Sequence, residues 1–227
     1  MHFINLILTT FLLITCLAYG NNTETGEETI SCDKYIYGVG GPCIEGVRTS
    51  YNGTLDQKHC DINGFILGRD SFNEAVRIFG KAQKWHSGDA AASEDKICFR
   101  SQDQTKKVVI VFAANSEMSE DMVDSVRLIQ GNVRFLSRCQ ETTIRPENIK
   151  TKSGIHVGMS IDEFGKIMGK PSESRDGLLL YVYCKELKPG DPGYSKEMRC
   201  SRCSGIIARF VKGFLQWIKI GVGAGSC

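Results

Sequence analysis

Two stretches of this 227-residue chain carry nearly the same sequence. SFNEAVRIFGKA begins at Ser71, SIDEFGKIMGKP begins at Ser160, and the two align without a gap. Each opens with Ser-x-x-Glu, the pattern of a helix capping box, and each places a glycine, Gly80 or Gly169, where a helix would end. This internal repeat constrains the fold strongly, because it predicts that one structural unit is built twice.

Apolar residues recur at helical spacing within both copies. They are Phe72, Ala75, Val76 and Phe79 in the first copy and Ile161, Phe164, Ile167 and Met168 in the second. One side of each short helix is therefore predicted to be buried. A helix of about ten residues is marginal on its own, so each must dock on a larger element.

Strand-like runs, rich in β-branched and aromatic residues, follow each predicted helix. They cover residues 96–101, 106–114 and 122–129 in the first copy, and 178–186, 206–211 and 214–220 in the second. The run at 122–129 also fits helical spacing, and the repeat favours the strand. A helix followed by an antiparallel meander, present twice, predicts an α+β fold of two tandem repeats with the helices on one face of the sheet.

The first twenty residues have the pattern of a secretory signal peptide. An apolar run from Phe3 to Leu17 leads to a small-x-small cleavage site at residues 18–20, and it is shorter than the ~20 residues that span a bilayer. We therefore expect an exported protein, periplasmic or extracellular. The alternative is a membrane-anchored lipoprotein acylated at Cys16, although Thr15 is not the Gly, Ala or Ser usual before such a cysteine.

The chain is expected to divide into five segments. They are a signal peptide at 1–20, a cysteine-containing segment at 21–62, repeat 1 at 63–140, a linker at 141–152 and repeat 2 at 153–227. Nine of the ten cysteines lie beyond the signal peptide, and in an exported chain this favours disulfides over metal ligands. The disulfide candidates are Cys32, Cys43, Cys60, Cys98, Cys139, Cys184, Cys200 and Cys203, with Cys227 as the candidate for the unpaired thiol.

CSRC, at residues 200–203, is the most specific chemical motif in the chain. A thioredoxin-like redox pair would open a helix, whereas the residues that follow, SGIIARFV, are typical of a strand. A zinc site would need two further ligands, which Cys184 and Cys227 would have to supply. A structural disulfide from Cys184 to Cys200 or Cys203 is the favoured interpretation, and a thiol or zinc protein is the alternative.

Charge and composition disfavour several classes of function. The 28 basic and 26 acidic residues are nearly balanced and form no long block, which argues against nucleic acid as a partner. Only His59, His86 and His156 lie beyond the signal peptide, and none belongs to a catalytic motif. The glycine-rich stretches at 38–41 and 221–225 precede no helix that would hold a phosphate, so we interpret them as turns and tail. We expect a protein that is not an enzyme and that uses no cofactor and no metal.

GIHVGMSIDEFGKIMGKPSES, residues 154–174, resembles the signature G-[IL]-x-[LIV]-G-M-[ST]-x-x-[DE]-[VF]-x-x-[LIM]-[LM]-G-K-P of the beta-lactamase-inhibitory-protein-like superfamily, which includes small outer-membrane assembly lipoproteins of bacteria. The first copy departs from it at Arg69-Asp70 and at Ala82. The resemblance covers residues 64–220. It implies a binding or assembly protein of the bacterial envelope, whose partner is another protein of the envelope or exterior, with membrane contact only if Cys16 is acylated.

Side-chain alternation in the second copy predicts a partner surface. In LLLYVYCKE, residues 178–186, we expect the side chains that face the helix to be Leu180, Val182 and Cys184, whereas Tyr181 and Tyr183 face away from it. In FLQWIKI, residues 214–220, we expect the side chains that face the helix to be Phe214, Ile218 and Ile220, whereas Trp217 and Lys219 face away from it. Tyr, Trp and Arg dominate binding hot spots, so Tyr181, Tyr183, Arg209, Trp217 and Lys219 are the predicted partner-binding residues. The competing interpretation places these aromatic side chains at the margin of the core.

Overall fold

The computed structural model describes residues 53, 55–87, 93–103, 105–115, 122–175, 177–186, 189 and 201–224, without the side chains of 175, 184–186, 201–203 and 224. In chain order the elements are α1 (Gln57–Cys60), β1 (Asp61–Ile62), β2 (Phe65–Ile66), α2 (Phe72–Phe79), β3 (Trp85–Ser87), β4 (Glu94–Ser101), β5 (Val108–Asn115), β6 (Ser125–Gln130), β7 (Gln140–Thr142), α3 (Ile161–Met168), β8 (Glu173–Arg175), β9 (Leu178–Glu186), β10 (Ser201–Val211) and β11 (Phe214–Ala224).

One large sheet dominates the described part of the chain. Its strand order is β3-β4-β5-β6-β11-β10-β9-β8, and β7 pairs in parallel with β4 beside this path. Two antiparallel meanders, β3 to β6 and β8 to β11, meet where β6 pairs with β11. The expected α+β class is confirmed, since the structure is mostly antiparallel sheet with a few short helices.

The larger hydrophobic cluster lies on one face of this sheet. Side chains from both helices enter it, with Phe79 of α2 and Phe164 of α3 almost completely buried. Phe112 of β5 lies at its centre, with its ring centroid 4.6 Å from that of Phe65 and 5.2 Å from that of Phe79. The predicted apolar sides of the two helices therefore enter a shared core. Ile161 is the exception, because it lies at the first position of α3 and is 43% exposed, contrary to prediction.

The strand that the repeat predicted at residues 122–129 is confirmed from Ser125 onward, as β6. β6 pairs with β5 on one side and with β11 on the other. Val126 and Leu128 enter the larger cluster, whereas Ile129 enters a second cluster on the opposite face of the sheet. Because both faces of this strand are covered, its apolar residues do not alternate strictly, and their spacing resembled that of a helix.

The segment before each helix follows a similar path in the two halves of the chain. Gly68 and Gly158 both adopt a positive φ, of +73° and +84°, which a side chain would disfavour. The N–H of Gly68 donates to the carbonyl of Val123, and the N–H of Gly158 donates to the carbonyl of Leu215. Each lead-in segment is therefore anchored by a backbone hydrogen bond to the beginning of the last strand of its own meander.

The same two glycines also approach the opposite meander. A Cβ built on Gly68 would lie 2.6 Å from Cγ2 of Val222 in β11, and a Cβ on Gly158 would lie 3.5 Å from the side-chain oxygen of Gln130 in β6. The first position has no room for a side chain. Each lead-in segment is thus packed across the junction between the two meanders.

The two helices begin differently, although both carry Ser-x-x-Glu. At α3 the Ser160 hydroxyl accepts from the N–H of Glu163 at 3.2 Å, and the Glu163 carboxylate accepts from the N–H of Ser160 at 2.9 Å, which lowers the pKa of Glu163. At α2 the Ser71 side chain makes no cap hydrogen bond, and Glu74 pairs with Arg77 at 2.7 Å. The capping box is confirmed in the second copy and wrong in the first, because Arg77 holds the Glu74 carboxylate one turn further along the helix.

This difference gives a matched test. We expect Ser160→Ala to lower the free energy of unfolding by about 1 kcal/mol, because it removes an N-cap acceptor. Ser71→Ala is expected to change it by less than about 0.5 kcal/mol, as for an ordinary surface substitution. Urea unfolding of the two variants and the parent measures both values, and equal losses would contradict the assigned caps.

The glycine-rich stretch at 221–225 is not a tail, contrary to our interpretation. β11 extends to Ala224, so Gly221 and Gly223 lie within a strand, paired with Gly205 and Cys203 of β10. The stretch at 38–41 lies outside the described residues.

Candidate binding face

The face of the sheet opposite the larger cluster carries most of the predicted partner-binding residues that lie on strands. Directly opposite residues of antiparallel neighbours share a face. Trp217 of β11 pairs with Arg209 of β10, and Lys219 of β11 pairs with Arg127 of β6. Lys96 and Arg100 of β4 share this face, by the same register through β5. We call the surface formed by Lys96, Arg100, Arg127, Arg209 and Lys219 the cationic face.

A second hydrophobic cluster lies beneath one end of the cationic face. It contains Val109, Ile129, Ile207, Leu180 and Trp217, together with Val133 and Cys139 from the segment that follows β6. Phe135 and Leu136 of that segment also pack against it, with Trp85 of β3 beside them. The segment at residues 131–139 therefore covers part of this face of the sheet.

Tyr181 does not face away from the helices, so that prediction was wrong. Its side chain is fully buried in the larger cluster, with its ring centroid 5.8 Å from that of Phe164 in α3. Its hydroxyl donates to the carbonyl of Gly169 at 3.2 Å, at the end of the same helix. The buried ring thus fills the core while its polar end satisfies a helix C-terminal carbonyl.

The side chains of Tyr183 and Leu180 also point to the faces of the sheet opposite to those predicted. Tyr183 is half-buried against the larger cluster, whereas Leu180 belongs to the second cluster on the opposite face. The prediction assumed that the aliphatic residues of β9 would face the helix. Both alternating sets of side chains in β9 are apolar, so hydrophobicity alone does not determine which set faces the larger cluster. In the structure the tyrosines face that cluster, and Tyr181 packs against Phe164 of α3.

The predicted residues of β10 and β11 lie on the expected side of the sheet. Trp217 and Lys219 face away from the helices, but they are only 5% and 8% exposed. Arg209 is half-buried beside Trp217. Ile218 and Ile220 enter the larger cluster as predicted, whereas Phe214 is 56% exposed, contrary to prediction, because it follows the turn and lies beyond an irregularity in the β10–β11 pairing.

One carboxylate lies among the cations of this face. Glu94 of β4 contacts Lys96, with Oε2 2.9 Å from the Nζ atom. Burial acts to raise the pKa of Glu94, but the charges of Lys219, Lys96 and Arg127 together outweigh it, and the pKa lies below its usual range. Glu94 is therefore ionised at neutral pH and belongs to a cluster of charges that crosses β4, β6 and β11.

A second carboxylate lies at the edge of that cluster. Asp124 accepts a hydrogen bond from the N–H of Asn115 at 2.9 Å. Burial raises the pKa of Asp124, and the negative charge of Glu94 raises it further, while the backbone N–H of Asn115 and the charge of Lys219 oppose these effects. Asp124 is therefore a second counter-charge near Lys219.

Two buried N–H donors on this face find no acceptor among the described residues. They are Nε1 of Trp217 and Nε of Arg100, although the terminal nitrogen of Arg100 lies 3.2 Å from Glu141. Both residues belong to one row across the sheet, Arg100, Val109, Ile129, Trp217 and Arg209. Buried donors are costly to leave without acceptors, so these two N–H groups lower the stability of this part of the sheet.

The structure contains one disulfide among the described cysteines, between Cys98 of β4 and Cys139. Disulfide formation is thus confirmed for these two candidates. Cys60 is a free, buried thiol, so its assignment as a disulfide candidate was wrong. Burial raises the pKa of Cys60 to about 11, with a smaller contribution from Asp56, and the thiol is therefore unreactive at neutral pH.

The structure around CSRC tests one of the predictions made for this motif, the strand that follows it. β10 begins at Ser201, so the motif leads into a strand and not into a helix, as predicted. The backbone of Cys203 pairs directly with that of Cys184. Cys200 lies outside the described residues, as do Cys32, Cys43 and Cys227, and also Cys16 of the lipidation alternative.

Little in the described part of the chain suggests catalysis or metal binding. No three His, Cys, Asp or Glu side chains within it come together as a metal site would require. His59 is buried, which lowers its pKa, and its Nδ1 lies 2.8 Å from Asp56, with which it closes the first turn of α1. His86 contacts Asp95 between neighbouring strands. These histidines have structural partners.

Comparison with known proteins gives no relative from which a role can be transferred. No protein-family model matches the chain, and no curated protein and no solved structure matches it either. Within the described residues, no helix combines the length and apolar character needed to cross a bilayer. The assignment of a function therefore depends on the geometry of the chain itself.

Sequence reasoning missed the central residue of the cationic face. Arg127 lies in the run for which the strand and helix interpretations competed, so its direction was not predicted. Lys96 lies in the predicted run at 96–101, and Glu94 precedes that run, so no surface was predicted on this strand. The register of β6 with β11 carries the missing information, because it places Arg127 opposite Lys219.

Proposed function

We propose that this chain is a non-catalytic protein-binding module exported to the bacterial envelope, and that the cationic face contacts its partner. The observation that carries the proposal is the clustering of five cationic residues around Trp217 on the sheet face opposite the helices. Arginine is enriched in binding hot spots, since its side chain combines large area with a polar end.

The proposed architecture is a duplication, with two tandem repeats and the helices on one face. Three parallels support it. Each half has a helix followed by a four-stranded meander, each helix is preceded by a positive-φ glycine, and each lead-in bonds to the start of the last strand of its meander. A binding surface at the junction of the two halves would then combine equivalent strands, β6 and β11, into one face.

The strand cysteines do not support the duplication in the way the sequence suggested. Cys98 is opposite Val111 and shares a row with Leu180, whereas Cys184 is four residues further along β9. The two cysteines therefore occupy corresponding strands but different positions. The proposal depends on the glycines, hydrogen bonds and strand order described above.

Site-specific photo-crosslinking in the native host tests the proposed function. A photoreactive residue at position 209 lies on the cationic face, and one at position 166, on the exposed side of α3, is the matched control. We expect position 209 to form a discrete crosslinked species with another protein and position 166 to form none. No species at 209, or the same species at both positions, would overturn the proposal.

A further inference from the structure

We propose that Asn63 is a modification site, an asparagine prone to deamidation that the native fold keeps unreacted while the β1–β2 hairpin stays attached to residues 148–153. The hairpin forms a two-stranded sheet of its own, separate from the large sheet that carries the cationic face, so the proposal is independent of the proposed function. The modification is hydrolytic, and water is its only co-reactant.

The dipeptide at the turn of this hairpin is chemically labile. Asn63 is followed by Gly64, and both residues are exposed. Asparagine is thermally labile in proteins, and it is most labile before glycine, where no side chain shields the backbone nitrogen. In the reaction the Gly64 nitrogen forms a bond to Cγ of Asn63, the Cγ–Nδ2 bond breaks, and ammonia leaves with the proton of the Gly64 N–H. Water then opens the resulting five-membered imide at either carbonyl and leaves aspartate or isoaspartate, and no electrons are transferred.

The shape of the turn explains why this dipeptide is present. The φ angle is +56° at Asn63 and +88° at Gly64, and the flanking residues Ile62 and Phe65 pair directly across the hairpin. A two-residue turn with positive φ at both positions is of type I′, for which Asn-Gly is a preferred sequence. Both flanking side chains are fully buried in the larger cluster. The same residue pair is therefore favoured by the structure and vulnerable in its chemistry.

Two hydrogen bonds hold both reacting groups in the native turn. The N–H of Gly64 donates to Oδ1 of Asp61 at 2.9 Å, and Nδ2 of Asn63 donates to the main-chain carbonyl of Asn148 at 2.8 Å. The reaction requires the Gly64 nitrogen to lose its proton, which a carboxylate acceptor opposes. It also requires the Asn63 amide to turn towards that nitrogen and so to leave the Asn148 carbonyl. Both bonds must therefore break before Asn63 reacts.

Backbone hydrogen bonds make these two bonds difficult to break one at a time. The N–H of Lys152 donates to the carbonyl of Asp61 at 2.7 Å, and the N–H of Ser153 donates to the carbonyl of Lys58 at 3.0 Å. Ile62 also forms a β-bridge with Thr151. The hairpin and residues 148–153 are thus joined along their length, and we expect Asn63 to react only in molecules where this contact has opened locally.

Deamidation would prevent the hairpin from attaching again in its original form. A carboxylate at position 63 has no N–H to donate to the Asn148 carbonyl, and its oxygen would face that carbonyl oxygen. Isoaspartate adds a methylene group to the backbone of a two-residue turn and disturbs the pairing of Ile62 with Phe65. Each opening of the hairpin therefore carries a risk of a permanent change.

Peptide mapping by mass spectrometry tests the inference. Trypsin places the two Asn-Gly pairs of the chain in adjacent peptides, residues 49–58 with Asn52 and residues 59–69 with Asn63. The oxidised mature protein is incubated in mildly alkaline buffer, either native or in concentrated guanidinium chloride, and the deamidated fraction of each peptide is followed with time. Asn52, which lies outside the described residues, is the reference for an Asn-Gly pair in the unfolded chain.

We expect Asn63 to deamidate at least tenfold more slowly in the native protein than in guanidinium chloride, where its rate should match that of Asn52 within about threefold. Asp61→Asn keeps an acceptor of the same shape but removes its charge, and it is expected to raise the native rate at least threefold. Asn148→Ala keeps the main-chain carbonyl, so it should change the rate less than twofold.

A native rate within threefold of the rate in guanidinium chloride would overturn the inference, and so would equal effects of Asp61→Asn and Asn148→Ala. The comparison of the parent protein in the two conditions needs no variant, so it decides the matter even if Asp61→Asn folds poorly. Ser160→Ala, which lowers stability without touching the hairpin, is expected to leave the native rate within about twofold of the parent. A larger increase would show that Asn63 reacts through general unfolding and not through local opening.

Discussion

Replacing Phe112 with alanine is expected to lower the free energy of unfolding by about 3–5 kcal/mol, the usual loss for a buried phenylalanine. Phe112 is fully buried in β5, and its ring contacts those of Phe65, Phe79 and Phe99, with the Phe99 centroid 6.1 Å away. The substitution removes the shared neighbour of three rings and leaves a cavity that packed strands on both sides prevent from closing.

Phe214→Ala is the matched control for this prediction. Phe214 is the same residue type, but it is 56% exposed after the turn between β10 and β11. We expect its replacement to change the unfolding free energy by less than about 1 kcal/mol. Urea unfolding at a fixed temperature compares the two variants, and similar losses would mean that the larger cluster does not centre on Phe112.

The double variant Cys98→Ala/Cys139→Ala is expected to lose about 4 kcal/mol of stability. The disulfide joins residues 41 apart, and the chain-entropy estimate for a loop of that length is about 4 kcal/mol at 25 °C. The bond also holds the segment at residues 131–139 against the second cluster, so its loss is expected to expose Trp217. Tryptophan fluorescence should shift to longer wavelength in the native baseline of the variant.

Cys60→Ala provides the comparison for the disulfide. Cys60 is equally buried but unpaired, so its replacement should cost only about 1 kcal/mol and leave the fluorescence of the native protein unchanged. Guanidinium unfolding followed by fluorescence yields both quantities for each variant. A double variant as stable as Cys60→Ala would show that the disulfide contributes little beyond its buried volume.

The helices and most strands followed from the sequence because each has a local signal. The Ser160 cap, the glycine at 169 and the apolar spacing between them act within a few residues, and the structure confirms the helix they predicted. Ser71 shows the limit of such signals, since Glu74 has two possible partners and the sequence does not say that Arg77 takes it.

The direction in which strand side chains point was predictable only where one face is polar. Lys219 and the isoleucines on either side of it set the orientation of β11 correctly. In β9 both alternating sets are apolar, and the orientation depends on which set fits beneath α3, a matter of shape and not of hydrophobicity. Tyr181 fits there because its ring packs on Phe164 and its hydroxyl reaches a helix carbonyl.

Predicting the cationic face requires knowledge of the strand pairing, which no local sequence signal provides. Arg127 and Lys219 lie about 90 residues apart in the chain, and neither has an unusual local context. Only the pairing of β6 with β11 brings them together. Trp217, which we predicted to be exposed, is covered by residues 131–139, a segment that the disulfide joins to Cys98 of β4.

The pairing of β6 with β11 also sets an order of events during synthesis. Once residue 130 has been made, β6 can pair with β5, but its other edge has no strand to receive it until β11 follows, about 85 to 95 residues later. At ~5–20 residues per second this interval lasts roughly 4 to 19 seconds. For that time an apolar strand edge is open to wrong partners, so a nascent chain arrested before β11 should be far more prone to aggregate than the finished protein.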